Sequence, residues 1–146
     1  MEFHKILAPV AGTDSDTETI KLACRLARRN KAKILLVHVI PIERTLPLDA
    51  ELAAEVRRAE EVLERAEKVA LEQGCEVETD LLQARNVGPS VVDEALERGA
   101  DLIIMGLTYK RHFGQFSLGD VIPYILKNAP CRVLLYQEYQ PGTAEA

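Results

Sequence analysis

Short apolar segments alternate with amphipathic segments along the chain. Segments 4–10, 32–40 and 101–106 are apolar at almost every position, which is typical of strands that are covered on both faces. Segment 75–83 alternates apolar and polar residues, and this predicts a strand at the edge of a sheet with one wet face. Segment 131–139 is the fifth predicted strand.

The segments between these strands repeat their apolar residues with helical spacing. The predicted helices span residues 15–30, 49–73, 89–98 and 119–128. Ser15 and Glu18 fit a capping box at the start of the first helix, and Gly74 and Gly99 fit the ends of the second and third. Strands that alternate with helices predict one α/β sandwich, doubly wound around a mostly parallel sheet.

Composition and charge narrow the class of protein. With 146 residues the chain has the usual length of one domain, and its 47% hydrophobic and 28% charged residues are ordinary for a globular protein. The net charge of -5 argues against a general nucleic-acid binder, since phosphate neutralisation needs clustered Lys and Arg. The sequence has no signal peptide and no apolar run of membrane-spanning length. We therefore expect a cytoplasmic domain with neither nucleic-acid binding nor membrane insertion.

Cysteine and histidine residues do not form a recognisable reactive or metal-binding motif. Cys24, Cys75 and Cys131 are odd in number and lack Cys-x-x-Cys spacing, so we interpret them as small core residues. His38 lies in an apolar strand, and we interpret it as a hydrogen-bonded core histidine. The sequence contains no His-Glu-x-x-His, nucleophile elbow or Walker loop. We predict no metal site and no catalytic residue.

Candidate binding residues follow the first and fourth predicted strands. Doubly wound sheets bind ligands beyond the carboxyl ends of their strands, where the strand order reverses. The loop "GLTYKRHFGQFSLGD", residues 106–120, follows the fourth strand and combines three glycines with a basic cluster. The candidate crevice residues are Pro9, Val10, Ala11, Gly12, Gly106, Lys110, Arg111, Gly114, Gly119 and Asp120.

Several segments resemble the universal stress protein family, in order and at normal spacing. They are "KILAPVAGTDSD", "AKILLVHVI", "GADLIIMG" and "GQFSLGDVIPYILKNAPCRVLLY". The resemblance covers residues 1–139 and leaves 140–146 as a predicted frayed tail. It implies a single Rossmann-like domain with a five-stranded parallel sheet in the order 3-2-1-4-5, acting in stress response or regulation and open to a regulatory protein partner.

The resemblance also implies a homodimer that pairs through the last strand. The interface residues would be Arg132, Val133, Leu134, Leu135 and Tyr136. The pattern of the residues supports this independently, because an apolar edge strand with a single charge needs to be covered.

Family members that bind ATP have an acidic residue at the end of the first strand and a later glycine pattern. That pattern is Gly, two residues, Gly, nine residues, Gly, and then Ser or Thr. Gly106 and Gly119 match the outer glycines, but Tyr109 replaces the middle one, Asp120 replaces the hydroxyl and Ala11 replaces the acid. The resemblance, with these departures, implies an altered ATP site that is weak or non-functional.

The basic cluster supports an alternative. Lys110 and Arg111, with Gly114 beyond them, resemble a variant loop of the family and could attract phosphate by charge. The chain would then be an ATP- or AMP-binding sensor. Asp120 has a structural interpretation as the N-cap of the last helix, accepting from free N–H groups. A slow ATPase and a regulatory module of a membrane transporter are further alternatives, although a start at Met1 close to the first strand favours a free-standing protein.

Overall fold

A computed structural model describes residues 2–107, 110–112, 115–117 and 119–138, with the backbone alone for the two three-residue segments. The strands are β1 (Lys5–Pro9), β2 (Lys33–Pro41), β3 (Val77–Ala84), β4 (Leu102–Gly106), β5 (Lys110–His112), β6 (Gln115–Ser117) and β7 (Arg132–Tyr136). The helices are α1 (Ser15–Asn30), α2 (Ala53–Glu72), α3 (Val87–Arg98) and α4 (Val121–Asn128). The predicted tail, 140–146, lies outside the described residues.

Five strands form one parallel sheet in the order β3-β2-β1-β4-β7. The predicted doubly wound α/β fold and its strand order are therefore confirmed, with β7 as the fifth strand of the sheet. The alternating strand β3 lies at one edge, as predicted, and β7 lies at the other. The antiparallel hairpin of β5 and β6 was not expected, because segments of three residues are too short to show a strand period in the sequence.

The three central strands are apolar because helices cover both faces of the sheet. Alternate residues of β1, such as Ile6 and Leu7, belong to two different core clusters. One cluster packs under α1 and α2, and the other packs under α3 and α4. Ile6, Leu7, Leu35 and Ile103 are fully buried. This burial holds the carboxyl ends of β1, β2 and β4 in fixed positions.

The start of α1 differs from the predicted capping box. Ser15 is the first helical residue, and Asp14 takes the N-cap position without a capping hydrogen bond from its side chain to the residues that the structure describes. The Thr19 hydroxyl donates to the Ser15 carbonyl oxygen at 2.7 Å. The helix therefore begins one position earlier than a Ser15 cap requires, and Ser15 cannot act as that cap.

The start of α2 also differs, since residues near 49 form a turn in which the Ala50 N–H donates to the Pro47 carbonyl at 3.0 Å. Gly74 and Gly99 follow the ends of α2 and α3, as predicted.

Within the described ranges, no helix has both the length and the apolar composition needed to cross a membrane.

Candidate functional site

A cavity of about 550 Å³ opens at the carboxyl ends of β1, β2 and β4. The structure brings six of the ten predicted crevice residues to it: Pro9, Val10, Ala11, Gly106, Gly119 and Asp120. Gly12 instead lines a smaller cavity of about 130 Å³ between α1 and α2. Lys110 and Arg111 lie on β5, where only the backbone is described, and Gly114 lies outside the described residues.

One side of this crevice is an apolar slot. It is formed by the ends of β2 and β4 together with α3 and α4. Its side chains are Val37, Val39, Val87, Val91, Met105, Leu107, Val121 and Ile122. The whole cavity, with aliphatic side chains on one side and polar groups on the other, has the size and lining that are typical of a small-molecule site. None of these residues is among the ten predicted crevice residues, because their sequence pattern is that of ordinary core positions, although Met105 and Leu107 belong to the strand end that was expected to border the crevice.

The polar side of the crevice is organised by Asp16, in the first turn of α1. Its carboxylate accepts hydrogen bonds from the Ala11 N–H at 3.2 Å and from the Gly12 N–H at 2.7 Å. Burial raises the pKa of Asp16, while these hydrogen bonds and the nearby His38 act in the opposite direction. Asp16 was missed as well. Its position seven residues beyond the end of β1, in a segment rich in Asp and Thr, was the available signal.

His38, on β2, also lines the crevice. Its Nδ1 hydrogen bonds the Val10 carbonyl oxygen at 2.7 Å. Since a carbonyl oxygen can only accept, Nδ1 is the donor in this hydrogen bond. The interpretation of His38 as a hydrogen-bonded histidine is confirmed, although the side chain is half-buried beside the cavity and not enclosed in the core.

Asp120 stands at the N-terminus of α4, in the N-cap position. It is exposed, and the structure shows no capping hydrogen bond from its side chain within the described residues. The expectation that Asp120 accepts from the free N–H groups of the helix is therefore wrong. The N-termini of α1 and α4 both border the crevice. Each carries a carboxylate, that of Asp16 in α1 and that of Asp120 at the start of α4. Helix N-termini favour anions, but these carboxylates oppose an additional one.

Comparison with known proteins places the chain in a family. A family model described as the universal stress protein family matches residues 2–137. The chain belongs to the universal stress protein family. A curated universal stress protein of Methanocaldococcus jannaschii is 31% identical over 142 residues, which cover 93% of this chain and 83% of that protein.

Solved structures of universal stress proteins share the fold. One from Archaeoglobus fulgidus has a TM-score of 0.78 at 23% identity and covers 90% of this chain and 97% of its own. A second structure, the universal stress protein from Archaeoglobus fulgidus in complex with dAMP, has a TM-score of 0.73 at 23% identity and covers 92% and 98%. The parallel sheet of this universal stress protein is therefore shared with solved members of the family.

Two glycines of this universal stress protein are required by packing. A Cβ on Gly106 would lie 2.3 Å from Thr19 Oγ1 and 3.1 Å from the Ser15 carbonyl oxygen. Gly12 has φ +82 and faces Val62, whose Cγ2 would lie 2.9 Å from an added Cβ. Gly106 was predicted as part of a phosphate loop. The contacts give it a second role, which is to let the end of β4 approach the first turn of α1.

Proposed function

We propose that this universal stress protein is a cytoplasmic, non-catalytic regulatory module whose crevice binds the nucleoside part of an adenine nucleotide and holds the phosphates weakly. The supporting observation is a cavity of about 550 Å³ that has an apolar slot on one side and carboxylates on its polar side. The slot suits a base and ribose, and the carboxylates disfavour a charged tail.

The nucleoside part of the proposal is supported by the size and the chemistry of the slot. Ligand pockets of roughly 300–1,000 Å³ are usually apolar with few polar groups, and this crevice has that character. The universal stress protein of Archaeoglobus fulgidus has a solved structure in complex with dAMP. That neighbour shares the fold, so an adenine nucleotide is a reasonable first ligand to test.

The weak binding of phosphate in this proposal is inferred from repulsion between negative charges. Two unit charges about 4 Å apart repel by roughly 1 kcal/mol in water and roughly 4 kcal/mol near a protein surface. Asp16 and Asp120 both line the crevice, and Ala11 brings no hydrogen-bonding side chain. The triphosphate of ATP therefore gains little binding free energy next to these two carboxylates. We therefore infer an altered ATP site with weak affinity.

A second candidate is a nucleotide sensor in which Lys110 and Arg111 supply the missing positive charge. The observation that favours it is the position of β5, which carries both residues and lies in the chain between β4 and α4. The end of β4 and the N-terminus of α4 border the crevice, so the segment that carries β5 begins and ends at the crevice. Basic side chains there could neutralise phosphate that the carboxylates repel.

Calorimetry with adenosine, AMP and ATP tests the proposal. We expect adenosine and AMP to bind with similar affinity, and ATP to bind no more than about threefold tighter than adenosine. ATP that is retained at one equivalent through purification, or that binds more than about a hundredfold tighter than adenosine, would show that the phosphate end is functional. Absence of all three binding signals would reject the adenine-nucleotide assignment altogether.

A double variant separates the two candidates. Lys110→Ala with Arg111→Ala should leave adenosine affinity unchanged in both cases. In the sensor it should weaken AMP and ATP at least tenfold, because two cations next to the phosphates are lost. Equal affinities before and after the change would reject the basic hairpin as the phosphate site.

The absence of catalysis is a prediction in the same proposal. The described part of the chain holds no group of three or more His, Cys, Asp or Glu side chains that could bind a metal ion. We expect no release of phosphate from ATP above a protein-free blank in the presence of magnesium. Release that scales with protein concentration and is lost in an Asp16→Asn variant would contradict this.

We also propose that the module is a homodimer paired through β7. Arg132, at the start of β7, is exposed, whereas the four residues that follow it are half-buried along this edge of the sheet. An apolar edge with unpaired backbone groups favours addition of another strand. Sedimentation equilibrium should give twice the chain mass of 16.2 kDa.

A further inference from the structure

Four exposed cations lie together at the C-terminal end of α1. Arg28 and Arg29 are three and four positions beyond Arg25, so each is a neighbour of Arg25 on the helix surface, and Lys31 follows at the C-cap. We call these four residues the α1 basic patch. The sequence has no Asp or Glu between positions 19 and 42, although the net charge of the whole chain is -5. The patch is therefore a local concentration of positive charge on an acidic protein.

The α1 basic patch has no ion-pair partner within the described residues, since none of the ion pairs formed there involves any of its four side chains. One turn earlier on the same helix, Lys21 does pair with Glu18, at 3.4 Å. Like charges three or four positions apart on a helix are destabilising, so Arg25 opposes the two arginines that follow it. The described carboxylates of the chain do not offset this repulsion.

The helix dipole explains only part of the patch. The partial negative charge at the C-terminus of a helix stabilises cations in the last turn, which here contains Arg28 and Arg29. This effect falls off within that turn, and Arg25 lies outside it. Helix stability therefore gives no reason for Arg25 to stand next to two further arginines, and a partner molecule does.

We propose that the α1 basic patch binds an acidic, linear segment of a partner protein. The guanidinium group of arginine presents a planar fork that binds a carboxylate through two parallel hydrogen bonds. Neighbouring side chains on a helix face are about 5–6 Å apart at their Cβ atoms. Arginines at this spacing can bind successive carboxylates of one extended or helical acidic chain.

Carboxylates that border the patch favour a narrow partner. The Phe3 N–H donates to Asn30 Oδ1 at 3.2 Å, which places the preceding residue, the exposed Glu2, near the end of α1. Both α1 and α2 run from the carboxyl edge to the amino edge of the same parallel sheet, and α2 ends there at the exposed Glu72. A bilayer or a nucleic-acid duplex is wide enough to bring its phosphates against these carboxylates. A single acidic chain can follow α1 and avoid them.

The patch and the crevice lie at opposite ends of α1. Asp16, in the first turn, borders the crevice, whereas Arg29 lies about 20 Å further along the helix axis. A segment bound at the patch therefore does not compete with a ligand in the crevice. The inference goes beyond the proposed nucleotide site and does not depend on it.

Fluorescence anisotropy of the full chain with a labelled peptide of about ten glutamates tests the proposal, and a glutamine peptide of equal length is the control probe. We expect a dissociation constant below about 0.1 mM in about 0.1 M salt for the glutamate peptide. Arg25→Gln with Arg29→Gln should weaken it at least about fivefold. Arg57→Gln with Arg58→Gln removes the same charge from exposed positions of α2 and should bind like the wild type.

Several results would overturn the proposal. One is no binding of the glutamate peptide by the wild type, or equal binding of the glutamine peptide. Another is an equal loss in the two double variants, which would attribute binding to net charge alone. A third is binding to vesicles of phosphatidylserine and phosphatidylcholine in place of the peptide, which would make the occupant a lipid surface.

A second copy of the chain is the remaining alternative occupant of the patch. If Arg25→Gln with Arg29→Gln sediments at a lower mass than the wild type, the patch is a contact between copies and the proposal is wrong. Circular dichroism of each variant shows whether it folds like the wild type. The comparison of the two peptides uses the wild type alone and is independent of any folding defect.

Discussion

The Asp16 carboxylate accepts the Gly12 N–H at 2.7 Å and so closes the turn between β1 and α1. Its other oxygen accepts the Ala11 N–H at 3.2 Å, so one side chain satisfies two successive backbone donors at the rim of the crevice. Charge-assisted bonds of this kind are about twice as strong as neutral ones.

Removal of this carboxylate should destabilise the turn. We expect Asp16→Ala to lower the free energy of unfolding by about 1–2 kcal/mol, measured by urea denaturation, because two donors lose their partner. Asp14→Ala is the matched control, since Asp14 makes no capping bond to the described residues, and it should change stability by less than about 0.5 kcal/mol. Equal effects of the two substitutions would contradict the role given to Asp16.

A methyl group at position 106 should clash with α1 and lower the free energy of unfolding. The added Cβ of Gly106→Ala would lie 2.3 Å from Thr19 Oγ1, and overpacking of this kind costs about 1–3 kcal/mol. Thr19→Ala removes the obstructing oxygen. We expect the double variant to lose at least about 1 kcal/mol less than the sum of the single variants in a denaturation cycle. Strict additivity would show that the contact does not limit this position.

A carboxyl pair between β3 and α3 should make stability depend on pH. The hydrogen bond with Asp80, then burial and the Asp80 charge, raise the pKa of Glu94 from 4.5 to about 7, although Arg98 opposes the shift. The unfolded chain loses this proton near pH 4.5, whereas the folded chain keeps it until about pH 7. The free energy of unfolding therefore falls across that interval and levels off above it.

The variant Glu94→Gln tests this dependence, since an amide can donate to Asp80 at every pH. We expect the free energy of unfolding to depend less on pH between about pH 4.5 and pH 7 in this variant. At about pH 8 it should exceed that of the wild type by on the order of 2 kcal/mol. Asp93→Asn, at an exposed neighbouring position of α3, should leave the slope unchanged. A slope in Glu94→Gln equal to that of the wild type would contradict the assignment.

The substitution Asp120→Ser should strengthen phosphate binding at the N-terminus of α4. It removes a carboxylate from the N-terminus of α4 and supplies a hydroxyl donor, so we expect ATP affinity to rise about fivefold to tenfold while adenosine affinity stays constant. Asp14→Ser makes the same change beside the smaller cavity and should have no effect on either ligand. An equal gain for adenosine and ATP would indicate a change in the slot and not in phosphate binding.

A charge on β7 should separate the proposed dimer. We expect Val133→Lys to sediment as a monomer, because a lysine on an edge strand opposes pairing. Thr79→Lys places the same side chain at an exposed position of the other edge strand, β3, and should remain dimeric. A wild-type protein that sediments as a monomer, or a Val133→Lys variant that stays dimeric, would reject pairing through β7.

The fold could be predicted because buried and exposed positions differ in residue type, and this difference is visible over short stretches of the sequence. Segments such as 32–40 are apolar at almost every position because helices cover both faces of β2, and the alternation of 75–83 reflects the edge position of β3. The resemblance supplied the strand order, which no local pattern contains. The location of the crevice then followed from the fold.

The contacts within the site could not be predicted in the same way. Asp16 was overlooked because a carboxylate that turns back to Gly12 looks in sequence like any polar residue near a helix start. Gly106 was predicted only as part of a phosphate loop, and its close approach to the first turn of α1 follows from the packing of that helix against the end of β4. Pairwise geometry of this kind depends on the tertiary structure, and spacing along the chain does not encode it.

The two edges of the sheet differ in charge and burial, and this difference determines the assembly size that we expect from the proposed pairing. At the β3 edge, Glu78 and Asp80 form ion pairs with Arg98, so a strand from another copy would have to displace hydrated charges. The β7 edge is half-buried and carries Arg132 as its one charge among the five residues of that strand. In the proposed dimer, two copies would pair through β7 and leave only their β3 edges open, so we expect association to stop at two copies and not to continue into a fibre.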